Sequence, residues 1–281
     1  MHPFATLQQL LPQHGLSRLL GRFAASRSPA LKRLLIEGFK AAYDVDMTEF
    51  HGDAAADFAS FNAFFTRPLL PGTRPMPTRD DVAVSPADGV VSQAGTAVGG
   101  ELLQAKGRTY TVADLVGDDE FAQSLAGGSF ATIYLAPHNY HRVHAPCAAS
   151  LVSTLEIPGR LFSVNAVTEA HVAGLFARNE RLVLRLKAAF GEYALVLVGA
   201  MIVASIDVTW PQGPVSPYRE LKASFPTGVA FERGDGVAAF QLGSTVVVLF
   251  PPEAATLTPG LAAGRAVQVG TPIATLRRDP N

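Results

Sequence analysis

The sequence predicts an α+β fold, with a mainly antiparallel β-rich core and an N-terminal amphipathic helical segment. From about Asp81 onward the chain runs in short stretches of β-branched and apolar residues broken by glycine and proline, the pattern of strands and tight turns. Before that, residues 1–40 space leucines and phenylalanines by three and four between arginines and lysines, the pattern of helices with one apolar face. With no internal repeat, low-complexity tract or long linker, the 281 residues suit one large domain plus an appendage. The expected division is a helical, membrane-associating segment at 1–60 and a β-rich catalytic domain at 61–281.

In chain order, Leu16, Leu19, Leu20 and Phe23 fit a first helix. Leu31, Leu34, Leu35, Ile36 and Phe39 fit a second, opened by Pro29 just after Ser28. Interleaved with them, Arg18, Arg22, Arg27, Lys32, Arg33 and Lys40 face one acid, Glu37, for a net charge of about +5 in residues 1–40. Such a segment can lie in the interface of an anionic membrane, or form a helical pair packed on the main domain. Strands are expected at Val82–Val84, Gly89–Ser92, Phe130–Leu135, Leu182–Leu186, Tyr193–Ile206, Phe240–Phe250 and Ile273–Leu276. Trp210–Pro217 must be a loop because of its prolines.

Hydrophobic residues make up 48% of the chain and charged ones 17%, rich enough in apolar groups to raise the question of a membrane. The longest uncharged apolar run, Tyr193–Ile206, has 14 residues, whereas a spanning helix takes ~20, so no transmembrane helix is expected. The N-terminus lacks the pattern of a secretory signal. A single cysteine, Cys147, forbids an internal disulfide and reads as a small buried residue. A net charge of −1 argues against nucleic acid as the main partner.

Polar residues interrupt the β pattern in three places: Ser85-Pro-Ala-Asp88-Gly89, Tyr140-His141-Arg142-Val143-His144 and Leu242-Gly243-Ser244-Thr245. Together they offer a carboxylate, two imidazoles and a hydroxyl, the parts of a base-activated serine. Singly, Asp88-Gly89 reads as a turn, His144 as a hydrogen-bonded core histidine, and Gly243-Ser244 as a strand start. An α/β-hydrolase would set its serine in G-x-S-x-G on a strand-to-helix turn, whereas here Gly-Ser-Thr leads into a β run. His141-x-x-His144 lacks the helical spacing of a zinc site, so no metal is expected.

These segments occur in an order and wording that resemble the phosphatidylserine decarboxylase family. Phe64-Phe65-Thr66-Arg67, continuing to Arg74-Pro75, looks like that family's FFxRxLxPGxRP; Ser85–Gly89 matches SPADG; Tyr134–Pro146 resembles YLxPxxYHRxHxP. Gly159–Asn165 is similar to GxLFSVN, Phe176–Arg181 to FxRNER, and Leu242–Thr245 to the LGST processing site. There are departures: Arg233–Phe240 stands where the family commonly has KGxEMGxF, and Val198–Ile206 where it has VGATxVGSI.

The resemblance implies a chain that cleaves itself between Gly243 and Ser244 into a β chain of residues 1–243 and an α chain of residues 244–281, which stay associated. Ser244 would attack the carbonyl of Gly243 and end as a pyruvoyl group, the only cofactor. His144 would be the base, Asp88 would fix its tautomer, and His141 would deliver a proton in turnover. Phe162, Ser163 and Asn165 are candidates for headgroup contacts, and Arg67, Arg74, Arg142, Arg178 and Arg181 for phosphate or carboxylates. The implied reaction turns phosphatidylserine into phosphatidylethanolamine through a Schiff base on the pyruvoyl group. The implied protein is peripheral on an anionic membrane, at the cytoplasmic face of the cell membrane, with a homodimer left open and no nucleic-acid partner.

Overall fold

The computed structural model describes residue 8 and residues 11–201, 205–211, 221–241 and 244–277. Two helices lead, α1 (Gln13–Ala24) and α2 (Pro29–Tyr43). Pro29 sits at the start of α2, where its missing N–H would be unpaired anyway. The inward face of α1 is small and polar, Gln13, Ser17, Gly21 and Ala24. Two of its large apolar residues point the other way, Leu19 at 51% and Phe23 at 47% exposure, while Leu16 and Leu20 are half-buried. This inverts the usual amphipathic arrangement, in which the apolar stripe faces the core. Ile36 of α2 joins Phe58, Phe61, Phe64 and Phe65 in a compact aromatic core, the last three on α3 (Phe61–Phe65), which Ser60 caps by accepting from the Ala63 N–H at 3.2 Å.

The strands are β1 (Val82–Val84), β2 (Gly89–Thr96), β3 (Glu101–Leu103), β4 (Thr109–Thr111), β5 (Ser129–Leu135), β6 (Arg142–His144), β7 (Ala149–Ile157), β8 (Arg181–Ala188), β9 (Gly191–Gly199), β10 (Ile206–Val208), β11 (Leu221–Phe231), β12 (Gly236–Phe240), β13 (Ser244–Leu249), β14 (Ala255–Leu257), β15 (Ala266–Val267) and β16 (Pro272–Leu276). Short helices α4 (Val112–Val116), α5 (Asp119–Leu125), α6 (Ala166–His171) and α7 (Leu175–Arg178) fill the connections. One eight-stranded sheet runs β11-β7-β8-β9-β13-β5-β2-β15, and smaller sheets are β1-β16-β14, β10-β12-β6 and β3-β4.

Every residue of β13 is buried because the large sheet is covered on both faces. On one face Ile133, Leu135, Leu197, Val246 and Val248 pack together; on the other Phe130, Val196, Val198, Val247 and Leu249 do. The antiparallel β-rich core and leading helices agree with the expected α+β class. Two expected strands divide. Tyr193–Ile206 breaks after Gly199, and Ile206 opens β10 in another sheet; Phe240–Phe250 breaks at Gln241, so β12 and β13 belong to different sheets. Hydrophobicity is continuous across the first break, which is why it is invisible in composition, whereas the second falls at Gln241, beside the polar Gly243-Ser244-Thr245. Of the expected Trp210–Pro217 loop, residues 212–217 lie outside the described residues, while Trp210 is buried against Phe225 and Phe231. Among the described residues no helix is long and apolar enough to cross a membrane.

Candidate active site

The Ser85–Gly89 turn is held by its own groups and by its neighbours. The Ser85 hydroxyl donates to the Ala87 carbonyl at 2.6 Å, and the Ser85 N–H to the Thr271 carbonyl at 2.8 Å. Gly89 is required there: a Cβ would lie 2.2 Å from the Tyr134 carbonyl oxygen. Asp88 is buried, but its carboxylate faces Arg74, which donates from Nε at 3.2 and 3.1 Å and from Nη2 at 2.6 Å. The Val269 N–H adds a bond at 2.8 Å. Arg74 also reaches Glu49 at 2.7 Å. Burial would lower the Arg74 pKa, but the hydrogen bonds to Asp88 and Glu49 outweigh it and hold the guanidinium firmly charged.

His144 closes β6, and its N–H is tied to the Pro86 carbonyl at 2.8 Å, which sets it beside the Asp88 turn. Its ring Nδ1 donates to the Gly234 carbonyl at 2.7 Å and its Nε2 accepts from the Tyr140 hydroxyl at 2.9 Å. The tautomer is thus held by Gly234, the task that the resemblance gives to Asp88. Gly234 is suited to it, since its positive φ of 90° is a conformation that residues with a side chain rarely adopt. Burial lowers the His144 pKa, against the opposing pull of the Gly234 carbonyl and the Asp88 charge.

His141 is fully buried and lies on Phe65, with ring centroids 4.1 Å apart. Its Nδ1 donates to the Asn139 carbonyl at 2.8 Å, while Nε2 is buried with no partner. Burial first, and the neighbouring Arg67 charge after it, bring its pKa down to about 3. The ring is therefore neutral with Nε2 as an acceptor, and it must take up a proton before it can deliver one.

Ser244 heads β13, paired with Leu135 of β5 on one side and Gly199 of β9 on the other. It is fully buried, and its hydroxyl has no hydrogen-bond partner. Leaving a buried hydroxyl unpaired costs about 1–3 kcal/mol. The topology brings the histidines toward it: β12 pairs with β6, the Phe240 N–H donates to the His141 carbonyl at 2.9 Å, and the chain then passes through Gln241 to Ser244. No hydrogen bond joins Ser244 to His144, His141 or Asp88 among the described residues. Gly243, the other half of the expected cleavage site, lies outside the described residues, as does Leu242.

Phe162 is buried, with its N–H and carbonyl held by the amide of Asn179 at 3.0 and 2.8 Å. The same amide donates to the Gly199 carbonyl at 2.8 Å, next to Ser244 in the sheet. The Ser163 hydroxyl meets that of Thr168 at 2.9 Å, and Asn165 caps α6 by accepting from the Thr168 N–H at 3.0 Å. The N-terminal segment braces this loop: the side-chain oxygens of Gln8 and Gln13 accept from the Ser163 and Leu161 N–H groups at 2.8 and 2.9 Å. Of the arginines, Arg67 lies buried over the Phe50 ring at 4.0 Å and bonds backbone carbonyls. Arg181 bonds the Leu115, Ala177 and Asn179 carbonyls at 2.7, 2.6 and 2.9 Å. Arg142 donates from Nε to the Thr66 carbonyl at 2.8 Å and Arg178 lies 5.1 Å over the Phe162 ring; among the described residues neither forms an ion pair with a carboxylate, as Arg74 does with Asp88. Cys147 is buried, which raises its thiol to about 11. Asn179, Gly234, Tyr140 and Glu180 were not among the residues expected to act, although all lie in or beside the quoted motifs.

The comparisons with known proteins agree with the resemblance. Residues 61–275 match the model of the phosphatidylserine decarboxylase family, and residues 3–44 match a second model, described as PSD. The chain is 45% identical over 279 residues to the phosphatidylserine decarboxylase proenzyme of Saccharophagus degradans, covering 98% of this chain and 97% of the relative. Proteins of the same name from Methylococcus capsulatus and Psychrobacter arcticus are 43% and 44% identical, over 98% and 99% of this chain and 96% and 100% of theirs.

Proposed function

The chain belongs to the phosphatidylserine decarboxylase family, and from that membership we propose that it is a proenzyme that cleaves itself between Gly243 and Ser244 and then converts phosphatidylserine to phosphatidylethanolamine. The observation that carries this reading is the Ser244 hydroxyl, fully buried and unpartnered at the head of the central strand. A position that needed no chemistry would gain stability from alanine there. Such an orphaned hydroxyl fits the origin of a pyruvoyl group, which supplies an electrophilic carbonyl and an electron sink for decarboxylation.

The chain's own residues divide the work. His144, neutral and with its ring fixed by Gly234, takes the Ser244 proton once its Nε2 leaves the Tyr140 hydroxyl. Asp88, charged and anchored by Arg74, favours the imidazolium that results. His141, dry and neutral, accepts a proton at Nε2 and returns it to the former α-carbon of the substrate. Arg142 and Arg178 are the cations left to meet the phosphate, and Phe162, Ser163 and Asn165 form the loop that borders the headgroup. His141→Ala should still cleave while turning over phosphatidylserine about 10²–10⁴-fold more slowly. The cleaved fraction on a gel and the turnover of that fraction check this, and full turnover would remove His141 from the reaction.

We also assign residues 1–60 to an anionic membrane surface, with the site in the β-rich domain at 61–281. The support is the outward set of Leu19, Phe23 and Leu34, the last 70% exposed, beside exposed Arg18, Arg22 and Arg33. Burying each such apolar side chain in an interface contributes roughly 1.5–3 kcal/mol, and each basic residue on the order of 1 kcal/mol at an anionic surface. The double substitution Leu19→Ser with Phe23→Ser should release most of the protein from anionic vesicles in a sedimentation assay. High salt should weaken the binding of the unaltered protein without abolishing it. Equal sedimentation of both proteins would move the membrane contact elsewhere.

A further inference from the structure

Glu180 is a buried carboxyl with no part in the reading above. Its side chain is 5% exposed and its Oε2 has no hydrogen-bond partner; the ring Nδ1 of His14 lies 3.7 Å from it. It lies just before β8, and the strand pairing places it. The Gly199 N–H donates to the Glu180 carbonyl at 2.9 Å, and the Gly199 carbonyl accepts from Asn179 at 2.8 Å. Gly199 therefore directs both backbone groups toward β8, and its pairing with Ser244 on the other side is of the non-hydrogen-bonded kind. In such a pair the Cα atoms are about 4.5 Å apart, and their Cα–H bonds point at one another.

Gly199 has no side chain, and Glu180 occupies the room one would take. Its Cγ and Oε1 lie 3.3 and 3.7 Å from where a Cβ on residue 199 would sit. Residues paired across strands share a face, so the carboxyl lies over Gly199, the sheet neighbour of Ser244, on the face that carries the Ser244 side chain. We propose that Glu180 is the general base that removes the Cα proton of Ser244 during self-cleavage. This rests on the self-cleavage reading and adds a residue to it. After the hydroxyl has attacked Gly243, the chain is joined there by an ester. The Cα–H bond then breaks with its proton passing to the Glu180 carboxylate, its electron pair forms the Cα=Cβ bond, and the Cβ–Oγ bond breaks as Gly243 leaves with a carboxylate. Water hydrolyses the dehydroalanine to the pyruvoyl group and ammonia, and Glu180 loses its proton to solvent. Burial raises the carboxyl of Glu180 to about 8, so its ionised form is a much stronger base than an exposed glutamate, as removal of a weakly acidic C–H requires.

The test is Glu180→Gln, which keeps the shape and removes the base, with Glu180→Asp alongside as a displaced carboxylate. Purified E180Q, folded by thermal unfolding, should mature at least about 10²-fold more slowly than wild type and should stall as the ester. Hydroxylamine should then split it into residues 1–243 and a fragment 244–281 that begins with an intact serine, distinguished by mass from the pyruvoyl-blocked fragment of wild type. E180D should yield the pyruvoyl fragment, slowly. Maturation of E180Q at the wild-type rate would overturn the proposal, as would a folded E180Q that hydroxylamine cannot split, because the block would then precede the ester. Wild-type protein that stays whole and resists hydroxylamine would instead overturn the self-cleavage reading itself.

Discussion

Ser244→Ala should leave a single polypeptide of 281 residues, where the unaltered protein separates on a denaturing gel into residues 1–243 and 244–281. The expected effect on cleavage is complete, because no other group can become the ester oxygen or the new N-terminal carbonyl. Stability should move the other way. The hydroxyl is fully buried without a partner, so its removal relieves up to about 1–3 kcal/mol of desolvation cost, less the small cavity left by one atom. A position where alanine is both more stable and inactive is one where stability has been given up for chemistry. Intact mass and denaturant unfolding on the same preparation check both halves. Quantitatively whole wild-type protein, or an alanine variant that still splits, would remove Ser244 from the centre of the mechanism.

Much of this site was legible in sequence because its parts are short and local. SPADG, YHRVH and LGST each sit at a turn or strand end, where polar residues stand out against β pattern, and the leading helices announce themselves by spacing and by Pro29. What sequence could not give was partnership. Asp88 and His144 belong to one oriented pair in the expected scheme, yet Asp88 is bound by Arg74 and the His144 ring by a backbone carbonyl. A carbonyl has no residue identity to read. The role of Glu180 was equally hidden, since it depends on which neighbour of Ser244 in the sheet lacks a side chain. In the fold, β11 went unseen because Pro226 and Gly228 lie inside it. Its pairing with β7 shifts register between Ser224 and Val229, and as an edge strand it tolerates the proline. β7 was missed for its serines, threonine and glutamate, some of which, like Thr154 and Glu156, are buried.

Arg74→Ala should be the most destabilising single change at the site, by about 3–5 kcal/mol, the usual cost of stranding one half of a buried ion pair. The Arg74 and Asp88 side chains are each 7% exposed, so water cannot replace the guanidinium. Among the described residues, the Val269 N–H alone is left to hold the carboxylate. Glu49, 42% exposed, loses less. Asp88→Asn should cost less than Arg74→Ala, because Arg74 keeps Glu49. Added to Arg74→Ala, however, Asp88→Asn should restore stability by removing the stranded charge, so one substitution changes sign with its background. That reversal is the signature of direct coupling. It is best measured by denaturant unfolding in the Ser244→Ala chain, which stays whole and keeps the transition free of fragment dissociation. A cost below about 1 kcal/mol for Arg74→Ala would mean that the pair behaves as a surface bridge. The same variants, returned to the intact Ser244 background, separate anchoring from direct action on His144. If Asp88 works chiefly through its charge beside the imidazole, Asp88→Asn slows maturation more than Arg74→Ala does, although it is the milder change for stability. If Asp88 is only an anchor for Arg74, maturation follows stability and Arg74→Ala is the slower of the two.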